Sequence, residues 1–315
     1  MAKKIASIFV LAAVIAVPLI AQEAPAFQAG APLLPAAPRT AMSVPQAMIL
    51  GIVEGLTEYL PVSSTGHLTI VQGLLGLWAT PEEKNASDAY AICIQAGAII
   101  AVFLISFGRI KGMARGIIGQ DREGLRLLGN VVVSFLPAAL IGLVLEDTIK
   151  RYLYGLWPVA GAWLVGGVFI LLVLVRWRGR EGPGIEGLTW RTALLIGLAQ
   201  VLSLWPGVSR SLVTIAGGMF VGLSVSAAVE YSFLLGLVTL GAATIYEGLK
   251  LGHLIVASFG WASPLIGLLF AGVSAFIAVR WMVDYLKTRS LALFGWYRIA
   301  IAIVAGALVL TGVMR

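Results

Sequence analysis

The chain has 315 residues, of which 59% are hydrophobic and only 12% are charged. A soluble domain carries roughly 25% charged residues, so this chain cannot clothe a water-facing globule and lipid must be the solvent for most of it. The net charge of +7 does not argue for nucleic acid, because the basic residues gather in short loops between apolar runs, and the single cysteine, Cys93, excludes an intrachain disulfide framework and a cysteine-based zinc motif.

In chain order, residues 1–22 read as a signal-like segment: Lys3 and Lys4, an apolar run from Ile5 to Ile20, then small residues. An uncleaved membrane anchor is the rival reading of the same stretch. Residues 23–43 form a linker rich in Ala and Pro. The remainder, 44–315, reads as one all-α polytopic membrane domain. Six apolar runs are long enough for full spans, at about 88–107, 131–146, 158–175, 224–246, 264–283 and 297–313.

Two other apolar segments, 45–77 and 192–222, are interrupted near their middles. The interruptions are Leu60-Pro61-Val62-Ser63-Ser64-Thr65-Gly66 and Trp205-Pro206-Gly207-Val208-Ser209-Arg210-Ser211. Proline removes a backbone donor and clashes with the preceding turn, while the serines that follow are good caps for a new helix. Each segment therefore predicts a re-entrant hairpin of two half-helices. An offset of 146 residues aligns Glu54 with Gln200, Leu56 with Leu202, Val62 with Val208 and Ser63 with Ser209. Each broken segment precedes three spans, so the second copy is expected upside down relative to the first. Repeat one covers 44–175 and repeat two 190–315. Paired interrupted helices in inverted repeats point to a site at the bilayer midplane.

Loop charges predict the orientation. Arg109, Lys111, Arg115, Arg122 and Arg126 share one loop; Arg176, Arg178, Arg180 and Arg191 share a second; Arg280, Lys287 and Arg289 lie in a third. These should be cytoplasmic. The intervening loops, 147–157 and 247–263, are poorer in positive charge. The 45–77 hairpin then dips in from outside and the 192–222 hairpin from inside.

The densest polar cluster in apolar surroundings is Glu54-Gly-Leu-Thr57-Glu58-Tyr-Leu-Pro-Val-Ser63-Ser64-Thr65-Gly66-His67. Ionisable groups at membrane depth are functional candidates by default. Glu54 and Glu58, four residues apart, share a helix face, repel one another, and in Glu58's case meet the negative end of a half-helix. A divalent cation would relieve this, and all-oxygen ligands favour Mg²⁺ or Ca²⁺ over zinc. A neutral, hydrogen-bonded glutamate is the rival account. The helix start after Pro61 is a ready anion site, which makes Ser63 and Thr65 candidate phosphate contacts. The turn at 206–211 offers a second, with Ser209, Arg210 and Ser211; Arg210 is the only cation between Thr192 and Ile245, and a guanidinium suits a phosphate. Ser64 and His67 put a hydroxyl and an imidazole one turn apart, so serine attack, histidine attack and a metal-bound water all stay open. His253, in an outer loop, reads as a bystander. Cation, phosphate and nucleophile groups together are the equipment of phosphoryl transfer, and their place inside a membrane implies a lipid-borne phosphate.

These residues resemble the bacterial undecaprenyl-diphosphate phosphatase family, also called bacitracin-resistance proteins. The resemblance covers about 44–315 and is most specific at Glu54 to His67 and Pro206 to Ser211, with weaker likeness at Tyr231-Ser-Phe-Leu-Leu235 and Tyr297-Arg298. It implies hydrolysis of undecaprenyl diphosphate to undecaprenyl phosphate and inorganic phosphate, recycling of that carrier for peptidoglycan, and bacitracin resistance. It implies a divalent cation on Glu54 and Glu58, catalysis by Ser64 and His67 with Glu58, and phosphate binding by Ser209, Arg210 and Ser211. It also implies an inner-membrane protein with its active site facing the periplasm. Two departures stand out: Leu237-Val238-Thr239 where relatives often have proline, and the N-terminal extension.

Two rivals share these features. A lipid flippase or transporter would use the same inverted architecture and phosphate site. The other class of membrane lipid phosphatases needs a second catalytic histidine and an upstream basic motif, which His253 does not supply. The sequence leaves the oligomeric state, a homodimer included, open.

Overall fold

The computed structural model describes residues 42–78, 80–177 and 181–314. The signal-like segment and nearly all of the linker lie outside the described residues. Among the described residues every regular element is helical: α1 (Val44–Thr57), α2 (Ser64–Leu74), α3 (Pro81–Ile105), α4 (Phe107–Ile117), α5 (Arg122–Leu153), α6 (Leu156–Leu172), α7 (Trp190–Gln200), α8 (Arg210–Phe220), α9 (Val225–Phe259), α10 (Ala262–Thr288) and α11 (Ala292–Leu310), with short 3₁₀ turns between some of them. Six stretches are long and apolar enough to cross a bilayer, and each contains or overlaps one of the six expected spans. The protein is an all-α multi-pass membrane protein.

Helix ends differ from the apolar runs in an instructive way. The expected outer loops at 147–157 and 247–263 are largely helical, because α5 runs on to Leu153 and α9 to Phe259. At the ends of the apolar stretches the two helices hold each other: Lys250 pairs with Glu146 at 3.2 Å and the Tyr246 hydroxyl reaches the same carboxylate at 3.4 Å. His253 therefore sits exposed on a helix and not in a loop. The basic loop after α3 also folds, into the short amphipathic α4. There Arg109 bonds Glu230 at 2.7 Å and Glu186 at 2.8 Å, tying α4 to α9 and to the loop before α7.

Both expected hairpins are present as α1–α2 and α7–α8. Ser43 opens α1 through a reciprocal capping box with Gln46, and Thr189 does the same for α7 with Thr192. Packing between the halves is reciprocal. Helix α1 lies chiefly on α10 and α7 chiefly on α5, while α3 meets α9 and α6 meets α11. Close approach of α1 to α10 depends on Gly51 and Gly55. A Cβ at either would collide with the α10 backbone, at the Gly267 and Ala271 carbonyls. Small residues four apart give helices in lipid this intimate contact, and it fixes the face that carries Glu54.

Candidate active site

The site forms where the two turns meet. Both helices stop ahead of their prolines, α1 at Thr57 before Pro61 and α7 at Gln200, with a 3₁₀ turn to Leu204, before Pro206, and the chain restarts each time at a serine, Ser63 before α2 and Ser209 before α8. Among the described residues these are the only non-glycine residues with positive φ, at φ 70°, ψ 100° and φ 78°, ψ 113°. The 146-residue offset pairs these two serines. Such backbone costs about 1–3 kcal/mol per residue and persists only where its surroundings over-determine it. The two turns are also bonded together, since the Ser211 hydroxyl donates to the Leu60 carbonyl at 2.8 Å.

At this junction the Ser64 hydroxyl donates to Glu58 Oε2. Glu58 Oε1 accepts from Arg210 Nη2 at 3.1 Å, with both side chains buried. A charge pair this dry costs about 3–5 kcal/mol to break on one side only. Arg210 is braced from three directions. Its Nη1 donates to the Ser232 carbonyl at 3.0 Å, its guanidinium lies 5.0 Å from the centre of the Tyr59 ring, and its flat face rests on Gly236, where a Cβ would come within 2.7 Å of Cζ. Its Nε has no partner, so the guanidinium keeps donor capacity for an anion. Ser232 is itself fixed by a 2.7 Å contact between its hydroxyl and that of Thr214. The Tyr231–Leu235 segment thus supports the cation, a role its sequence pattern did not disclose.

His67 stands apart from this chain. Its Nδ1 lies 2.6 Å from the Ser63 carbonyl and its Nε2 lies 2.7 Å from the Tyr297 hydroxyl. A carbonyl can only accept, so Nδ1 carries the proton, and in the neutral ring Nε2 accepts from the tyrosine. The ring also stacks on Tyr297 and meets Trp163 edge-on. Ser64 is therefore partnered by Glu58 and not by the imidazole one turn along. Of the other expected site residues, Ser209 caps α8 through Leu212 and contacts Ser211 at 3.0 Å. Ser63 makes no side-chain cap bond, and Thr65 is exposed, its side chain making no hydrogen bond to the cluster.

Glu54 is buried, and neither of its carboxylate oxygens has a hydrogen-bond partner. Its electrostatic neighbours are Glu58 and Arg210. Among the described residues no group of three His, Cys, Asp or Glu side chains could hold a metal by itself. The donor set fits a cation that takes one or two carboxylates and completes its shell with phosphate oxygens and water, the habit of Mg²⁺. It does not fit an all-protein cage.

Two residues of α11 complete the junction. Besides Tyr297 on His67, the fully buried Arg298 donates to the carbonyls of Pro61 (3.3 Å), Ala162 (2.9 Å) and Gly207 (2.9 Å). A lone arginine inside the apolar run 297–313 was the available signal; the rule that picks out Arg210 picks out Arg298 as well.

In this polytopic helical bundle two broken helices bring a serine, a glutamate and an arginine together at a buried junction, a set of groups suited to phosphoryl transfer within a membrane. A family model described as Bacitracin resistance protein BacA matches residues 47–304, and the chain belongs to that family. Among similar proteins, the undecaprenyl-diphosphatase of Sorangium cellulosum is 45% identical over 268 residues, covering 84% of each chain. That of Ectopseudomonas mendocina is 40% identical, covering 82% of this chain and 91% of the relative. Undecaprenyl-diphosphatase 2 of Rhodospirillum rubrum is 40% identical, covering 85% and 96%.

Proposed function

We propose that this chain hydrolyses undecaprenyl diphosphate to undecaprenyl phosphate and inorganic phosphate at the junction of the two turns, with Ser64 as nucleophile and Glu58 as its base. One observation carries the assignment: the Ser64 hydroxyl already donates to Glu58, the group positioned to receive its proton. Ser64 Oγ attacks the terminal phosphorus and its proton passes to Glu58. The bond from phosphorus to the bridging oxygen breaks, and undecaprenyl phosphate leaves. Water then cleaves the phosphoserine, returning the proton to Ser64 and releasing inorganic phosphate.

Arg210 and the helix starts at Ser64 and Arg210 supply the positive field for the phosphoryl oxygens. Glu54, with Glu58 beside it, would hold a Mg²⁺ or Ca²⁺ that neutralises diphosphate charge. His67 positions the Ser63 turn and does not react. The basic loops favour a cytoplasmic face, so the α1–α2 hairpin enters from the periplasm of an inner-membrane protein. There the product rejoins the lipid carrier pool used for peptidoglycan, and removal of the diphosphate deprives bacitracin of its target.

The deciding experiment uses the purified protein in detergent with undecaprenyl diphosphate labelled in its terminal phosphate. Release of labelled phosphate, with label trapped on Ser64 after rapid acid quench, is the expected result. Label on His67 would move the nucleophile, and no release at all would leave a flippase as the better reading.

A further inference from the structure

We infer that Arg298 is a positioning residue for hydrolysis: its guanidinium locks the Pro61 turn to the Gly207 turn and so sets where Arg210 meets Glu58. The inference rests on the site proposed at that junction.

Backbone carbonyls in a buried turn need hydrogen-bond partners, and two such turns meet here. Arg298 donates to one carbonyl in each turn and, through Nη2, also to Ala162 of α6. The next residue of α6, Trp163, donates its indole N–H to the Val62 carbonyl at 2.8 Å. The first turn is therefore held from α11 and from α6 at once. None of the acceptors on Arg298 is a carboxylate. Its charge is balanced by carbonyl dipoles alone, in a fully buried position and with Nε unpartnered, a costly arrangement whose return is the geometry it fixes. Space for it is made by Gly166, where a Cβ would fall within 2.7 Å of the guanidinium carbon. The Ser211 to Leu60 hydrogen bond is a separate tie between the turns. Loss of Arg298 should accordingly let them shift without parting.

Arg298 touches no group assigned to the chemistry. Its effect must appear as misalignment of groups contributed by different turns, with Ser64 and Glu58 on one and Arg210 on the other. A displacement of about 1 Å at a reacting centre costs on the order of 10²-fold in rate.

The test compares Arg298→Met, Arg298→Lys, Gly166→Ala and the double variant Gly166→Ala/Arg298→Met, each purified in detergent, with Arg210→Ala alongside. For Arg298→Met we expect kcat to fall about 10²-fold with KM for undecaprenyl diphosphate nearly unchanged, and Arg298→Lys should recover part of the loss. Gly166→Ala should lower kcat by pushing on the guanidinium, yet add nothing in the Arg298→Met background, where no guanidinium is present. Retention of most of kcat by Arg298→Met overturns the inference, as do multiplicative effects of the two substitutions or losses confined to KM. If Arg298→Met does not fold, judged by its elution profile and melting transition, Gly166→Ala decides alone: a selective fall in kcat supports positioning, and wild-type kcat refutes it. Full activity of Arg210→Ala would sink the site reading itself, whereas an inactive Arg210→Ala beside an active Arg298→Met sinks only the role of Arg298.

Discussion

The two broken segments share a backbone and divide the chemistry. At the 146-residue offset, Ser63 and Ser209 adopt the same rare conformation, yet their neighbours differ at almost every polar position. Glu54 faces Gln200 in the alignment, Glu58 faces Leu204, Ser64 faces Arg210 and His67 faces Val213. The first turn holds acids and a hydroxyl, and the second holds the cation. A site with the first segment's chemistry twice would concentrate carboxylates that repel each other, and one with the second's twice would have hydroxyls and two arginines but no carboxylate to take a proton. One turn geometry can thus carry opposite charges, and at the junction they meet as Glu58 and Arg210.

The sharpest way to break this division is to remove one charge. Glu58→Ala and Arg210→Ala should each lower kcat by roughly 10²–10³-fold and destabilise the protein by about 3–5 kcal/mol, because the remaining partner stays buried and unpaired. The apolar pair Glu58→Leu/Arg210→Met should regain most of the stability and none of the activity. Melting curves and phosphate release in detergent would separate the two effects. A smaller effect comes from making the first turn more like the second. Mg²⁺ or Ca²⁺ should raise the melting temperature of the wild-type protein, and Glu54→Gln, which reproduces the amide of Gln200, should abolish that rise with about a tenfold fall in kcat; an unchanged cation response would remove Glu54 from the cation's ligands. The smallest effect is expected from Ser63→Gly. Glycine relieves the positive φ, so stability should rise by about 1 kcal/mol while kcat stays within about threefold. A clear rise in KM would instead mark the Ser63 side chain as a phosphate contact.

Six spans, two interruptions and the acidic and basic members of the junction were legible in the sequence, because apolar length, internal proline and lone charges report directly on lipid exposure. Three things were not. Hydropathy sees the buried length of a helix and not its whole length, so Lys250, which clasps Glu146 from the extension of α9, fell within an expected loop. Helical spacing placed Ser64 with His67, whereas the break after Glu58 folds that carboxylate back onto Ser64; six residues across an interrupted helix have no periodicity to read. Arg298 was visible as a charge, but its three carbonyl acceptors come from the turns at Pro61 and Gly207 and from α6, which only the folded chain brings together.

The ledge beneath Arg210 is bare backbone at Gly236. A single methyl group placed there would evict the guanidinium without deleting any hydrogen-bonding atom of the pocket. Gly236 therefore offers a route to a silent protein with Ser64, Glu58 and Glu54 all present, suited to capturing the intact lipid in place before it is cut.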